Sequence, residues 1–183
     1  MEIIIKNISK GRVRVMRLQL QKNSYRSANE ILTNSPLLKE IEEILLSSDI
    51  DLSSLSRSHY NHILRELFKT YGWQHSPSPF HEPVNPFAAI ELTKHNIGLE
   101  IGFRHASLMG HNLLKFQLSS SHHSDRIDVG IFIVTTKKFQ KQMYNIYHHN
   151  WAGAMNFEKA DRYLRHFKTD FRLPIYLVGI DVA

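Results

Sequence analysis

Residues 90–103 read IELTKHNIGLEIGF, and their pattern decides the fold class. Ile97, Leu99, Ile101 and Phe103 alternate with Gly98, Glu100, Gly102 and Arg104, so this is a strand with one apolar face and one face carrying charge. The polar segment Lys94-His95-Asn96 suits a tight turn, which makes the whole stretch a β-hairpin. Glu91 and Glu100 stand nine residues apart across that turn, and the hairpin brings both carboxylates to one edge of a sheet. Two convergent carboxylates beside basic residues match what a hard cation such as Mg²⁺ needs to hold a phosphate and activate water. Two solvent-facing glutamates on an ordinary strand share this spacing, so spacing alone leaves both readings open.

Working outward, the pattern predicts helices alternating with strands. An N-terminal hairpin is expected from Glu2 to Lys6 and Arg12 to Leu20, turning at Ser9-Lys10-Gly11 and bulged where Met16-Arg17 shifts the alternation. Ser35-Pro36 is a helix start, followed by LLKEIEEILL with Leu37, Leu38, Ile41, Ile44 and Leu45 on one face. A second helix is predicted from Ser58 to Tyr71, stopped by Gly72. Pro77, Pro79, Pro83 and Pro86 make 72–87 a long loop. Beyond the hairpin come a helix at Asn112–Leu118 and an apolar run, Ile127–Val134, that reads as a central strand buried on both faces. Helices at Phe139–Tyr147 and Asn156–His166 and a last strand at Ile175–Ile180 follow. The fold class is α/β, a central mixed β-sheet flanked by helices.

Composition narrows the function classes. A chain of 183 residues is read as one domain with a core large enough to need no staples. It contains no cysteine, which removes disulfides and thiolate metal sites. No apolar run is long enough to span a membrane and no signal peptide is visible, so a cytoplasmic protein is expected. The net charge of +6 suits a polyanionic partner. Basic residues cluster at Lys6, Lys10, Arg12, Arg14, Arg17, Lys22 and Arg26, and again at Lys137, Lys138 and Lys141.

The order of these segments resembles the BglII-type restriction endonucleases of the PD-(D/E)XK nuclease superfamily. SANEILTNSPLLKEIEEILL is similar to the family's opening helix, IELTKHNIGLEIGF to its catalytic hairpin, IDVGIFIVTTKKF to its central strand and following turn, and FRLPIYLVGID to its late strand. The resemblance runs from Ser27 to Asp181 and implies a restriction-endonuclease-like core, with residues 1–26 as an extra basic hairpin. It further implies a homodimer in a prokaryotic cell that cuts double-stranded DNA at a palindromic site, with Mg²⁺ as cofactor and Mn²⁺ as a substitute.

The family's catalytic motif is an acid, a Glu nine residues on, and a polar residue two further, usually Gln or Lys. Carried over, the acids are Glu91 and Glu100, the Ile101 carbonyl is the third metal ligand, and the third side-chain position is Gly102. Glu91 is longer than the family's usual Asp by one methylene. Gly102 has no side chain to orient water or balance charge, and Arg104, two residues along the same face, or Lys94 is the expected substitute. Arg104 is therefore counted with the catalytic pair. Candidate DNA contacts are His105 and the segment to Lys115, the Ser119–Arg126 loop with His122, His123 and Arg126, and the basic residues Lys94, Lys137, Lys138, Arg12 and Arg14.

Two other classes compete. A catalytically weak or inactive DNA-binding protein on the same fold would bind without metal and tolerate loss of Glu91 or Glu100, and a repair or RNA-directed nuclease of the superfamily would share the metal site. The His122-His123 and His148-His149-Asn150 clusters invite zinc or an HNH-type site, but they lack zinc-ligand spacing and a ββα-metal context.

Overall fold

The hairpin forms because Lys94-His95-Asn96-Ile97 closes it with both central residues in the left-handed region, His95 at φ 48° and Asn96 at φ 61°. That is the twist a two-residue hairpin requires, and Asn tolerates it well. In the computed structural model, residues 17–33, 35–47, 50–76, 89–121, 126–167 and 169–183 are described. The elements are β1 (Leu18–Tyr25), α1 (Ala28–Thr33), α2 (Leu37–Leu45), α3 (Arg57–Thr70), β2 (Leu92–Lys94), β3 (Ile97–Ile101), α4 (Met109–Ser121), β4 (Val129–Thr135), α5 (Lys137–Tyr147), α6 (Phe157–His166) and β5 (Ile175–Val182).

The five strands form one mixed sheet in the order β1-β5-β4-β3-β2. The centre, β3-β4-β5, is parallel, and the edges β2 and β1 pair antiparallel. Every residue of β3 and β4 is buried, as two-sided coverage demands. One face packs against α1, α2, α3 and α5 through Ile97, Leu99, Ile101, Val129, Ile131 and Ile133. The other packs against α4 and α6 through Phe132, Val134, Ile175 and Leu177. The charged face of the hairpin strand is thus roofed by α4, and Glu100 is only 4% exposed.

Several predicted elements differ in their bounds, among them α4, expected at Asn112–Leu118 and found at Met109–Ser121. The segment similar to one opening helix is two helices, because Pro36 has no amide hydrogen to continue α1. Ser35 Oγ instead accepts from Leu37 N at 3.2 Å. Of the strand expected at Arg12–Leu20, residues 12–16 lie outside the described residues, and from Leu18 a strand runs on to Tyr25, paired along its length with β5. Its predicted hairpin partner at 2–6, with the turn and the basic residues Arg12 and Arg14, lies outside the described residues, as does most of the proline-rich loop. Helix α3 begins earlier than predicted, because Ser56 Oγ accepts from His59 N and caps it. It ends before Gly72, whose φ of +84° a side chain would resist.

An aromatic cluster fixes the C-terminal end of β3. Tyr60 of α3 stacks on Phe103 at 5.1 Å, and Trp151 meets Phe103 and Phe139 edge-on at 5.8 and 5.5 Å. Such pairs add about 0.5–1.5 kcal/mol each beyond their burial. They hold α3 and the 148–151 segment against residues 101–104, where the site lies.

Candidate active site

Glu91 precedes β2 and Glu100 lies on β3, and the backbone interlocks them. Glu91 N donates to Glu100 Oε1 at 2.8 Å, and Ile101 N donates to Glu91 Oε2 at 3.1 Å. Each carboxylate thus orients the strand carrying the other. On the α3 side, Asn61 Nδ2 donates to the Ile101 carbonyl at 3.0 Å, and Arg65 Nη1 lies 3.7 Å from Glu91 Oε1. From α4, the Lys115 ammonium contacts Glu100 Oε1 directly.

Burial dominates the electrostatics. It pushes the Glu100 carboxyl up to about 7, helped by the neighbouring Glu91 and opposed by the Lys115 ammonium. Burial also raises Glu91, against the pull of the Ile101 N–H, Arg65, Lys115 and Arg104. Two desolvated carboxylates beside a backbone carbonyl form an all-oxygen donor set, and a divalent cation would favour their charged forms. Among the described residues no three His, Asp or Glu side chains converge, so an ion bound here would need backbone or water oxygen beside the two glutamates. That set fits a hard cation of the Mg²⁺ class.

Gly102 follows directly. A Cβ built there would lie 2.6 Å from Phe132 Cζ and 3.2 Å from Val134 Cγ1. Phe132 stands opposite Glu100 on β4, and its ring fills the space a side chain at 102 would occupy.

The remaining sequence-predicted residues separate into groups. Arg104 and His105 are exposed and, with Arg57, Arg65, His148 and His149, line an open cleft of about 840 Å³ that reaches Asn61 and Arg65. His105 also caps the short turn after it through Ser107 N. Lys94 lies at the turn end of the hairpin, where its three donors reach both Glu40 oxygens at 2.9 Å and the Tyr71 carbonyl at 2.6 Å. It has no donor to spare for the charge missing at 102. Lys115, read from sequence with the groove contacts, is buried against Glu100. Arg126 is exposed beside Asp128, also near the turn. Lys137 and Lys138 are exposed at the start of α5, with Lys138 Nζ bonded to the Val182 carbonyl at 2.6 Å. His122 and His123 lie outside the described residues.

Sequence reasoning missed Asn61 and Arg65. They stand four apart on α3 and so share a face, yet nothing in the sequence shows that this face meets the hairpin. For Lys115 a weak signal existed: it sits between Leu113 and Phe116, beside the inward stripe of α4.

Comparison with known proteins agrees with this architecture. The family model described as restriction endonuclease BglII/BglIII matches residues 20–180. No curated protein matches the chain significantly. Among solved structures, restriction endonuclease BglII complexed with a DNA 16-mer is similar with a TM-score of 0.67 and 22% identity, covering 88% of this chain and 77% of that one. Free BglII is similar with a TM-score of 0.62 and 22% identity, over 88% and 78%. With the family model spanning nearly the whole chain and the same fold in both structures, this protein belongs to the BglII/BglIII family of restriction endonucleases, type II site-specific deoxyribonucleases.

Proposed function

We propose that the chain is a Mg²⁺-dependent type II restriction endonuclease that hydrolyses double-stranded DNA as a homodimer on a palindromic site. The observation that carries this reading is the interlocked pair Glu91 and Glu100 beside the Ile101 carbonyl. Those three groups would hold the ion, with Mn²⁺ able to replace it. When bound, Mg²⁺ supplies Lewis acidity at the scissile phosphate and lowers the pKa of a bound water. In the step, a water oxygen bonds to phosphorus as the P–O3′ bond breaks. One proton passes to the departing O3′, leaving 5′-phosphate and 3′-hydroxyl ends.

The protein's own residues position and balance this chemistry. Asn61 holds the Ile101 carbonyl in place, and Arg65 and Arg104 place positive charge beside Glu91. The cleft beyond them, with Arg57, His105 and His148, suits a phosphate backbone. Base-edge contacts are assigned to the segment from His105 and to the loop with His122, His123 and Arg126. Lys137, Lys138, Arg12 and Arg14 are assigned to backbone contacts. A two-fold protein matches a two-fold site, which is the basis for the dimer. A prokaryotic cytoplasm is the compartment that fits such an enzyme.

Gly102 favours the second reading, a DNA-binding protein of this fold without catalysis. The deciding experiment is a digest of unmethylated phage DNA with Mg²⁺, with EDTA, and with Glu100→Gln, followed by end sequencing. Discrete Mg²⁺-dependent fragments lost in the variant are expected. Intact DNA throughout, with Mn²⁺ as well, would overturn the restriction-endonuclease reading, and a gel shift of the same DNA with the uncleaving protein would then identify the binding-only one.

A further inference from the structure

Position 102 cannot supply a cation, and the reason is steric rather than a chance loss. The Phe132 ring and Val134 occupy that space, and Phe116 of α4 packs edge-on against Phe132 at 6.4 Å. The same contact seats α4 over β3, and the residue beside Phe116 is Lys115. Its ammonium reaches Glu100 Oε1. Glu100 and Gly102 point to the same face of β3, so this ammonium arrives over the strand face where a Lys at 102 would have put one. Lys115 is 9% exposed and, among the described residues, is the one buried lysine. Burying an ammonium is costly unless it is paired and hydrogen-bonded, and Glu100 is the partner that holds this one.

The alternatives for the missing charge are placed elsewhere. All three donors of Lys94 are taken at the turn. Arg65 and Arg104 act on the Glu91 side.

We propose that Lys115 is the catalytic cation of this enzyme, delivering from α4 the positive charge that no side chain at position 102 can carry. One of its three donors holds Glu100, and in this role the other two would serve the scissile phosphate and its attacking water. The ammonium stabilises negative charge developing on the non-bridging oxygen and transfers no proton in the step. The bonds made and broken are those of the hydrolysis given above. This inference rests on the nuclease reading, and its test separates the two.

The test compares wild type, Lys115→Met and Lys115→Arg in two assays. One is single-turnover cleavage of unmethylated phage DNA with Mg²⁺, the other Mn²⁺ binding to the DNA-free protein by calorimetry. For Lys115→Met we expect cleavage to slow about 100-fold while Mn²⁺ binds as tightly as before or tighter, because a repelling charge is gone. Lys115→Arg keeps the charge and should regain at least about tenfold of the lost rate. A slowing of less than tenfold in Lys115→Met overturns the proposal. So does parallel loss of Mn²⁺ affinity, which would make Lys115 a scaffold for Glu100. If Lys115→Met does not fold, Lys115→Gln takes its place under the same thresholds. If wild type itself leaves DNA intact, the nuclease reading fails and this proposal with it.

Discussion

Replacing Gly102 with alanine tests the steric account of the site. The added Cβ would sit 2.6 Å from Phe132 Cζ and 3.2 Å from Val134 Cγ1, where ordinary carbon contacts need about 3.5–4.0 Å. Phe132 is fully buried between β4 and α4, so its ring cannot swing into solvent, and the backbone or α4 must move. Overpacking of this kind costs about 1–3 kcal/mol. Against it, Gly102 is not at positive φ, so alanine gains about 0.4–1 kcal/mol by restricting the unfolded chain. The clash wins, and a net loss of about 1–2 kcal/mol is expected. For a chain of this size that lowers Tm by about 2–8 °C, measured by thermal unfolding in metal-free buffer. Phe132→Leu removes ring atoms from the contact, so Gly102→Ala should cost less in that background. Additive effects in the double variant, or a Gly102→Ala protein as stable as wild type, would refute the claim that Phe132 fills the space above Gly102.

Two further predictions concern charge. In metal-free protein the Glu100 carboxyl titrates near 7 against an ordinary 4.5, so the folded state holds its proton after the unfolded chain has lost it. Stability therefore falls as pH rises from about 4.5 to 7, by about 3 kcal/mol for this group. Glu100→Gln should flatten that slope in denaturant titrations, and an unchanged slope would place the titration elsewhere. Lys94→Ala should destabilise by about 1.5–3 kcal/mol through lost bonds to Glu40 and Tyr71. The folded variant should cleave phage DNA at a rate within about threefold of wild type, and a tenfold slower rate would return Lys94 to the site.

The sequence by itself determined the local units and their order. Alternation of Ile97, Leu99, Ile101 and Phe103 required a strand, the apolar run before Thr135 required a central one, and Ser35-Pro36 marked the start of α2. These are short-range properties of side-chain period and backbone restriction, so they survive without knowledge of neighbours. The hairpin carried Glu91 and Glu100 together for the same reason, since nine residues across a tight turn leave few alternatives. Only the tertiary structure decided which residues of other elements reach that pair. Asn61 and Arg65 meet the Ile101 carbonyl and Glu91 because α3 packs across β3, and Lys115 meets Glu100 because Phe116 and Phe132 seat α4 on the opposite face. Lys94, adjacent to the motif in sequence, is turned away to Glu40 by the hairpin's own geometry. Proximity along the chain predicts contact only within an element, and between elements it is the packing of apolar faces that chooses the partners.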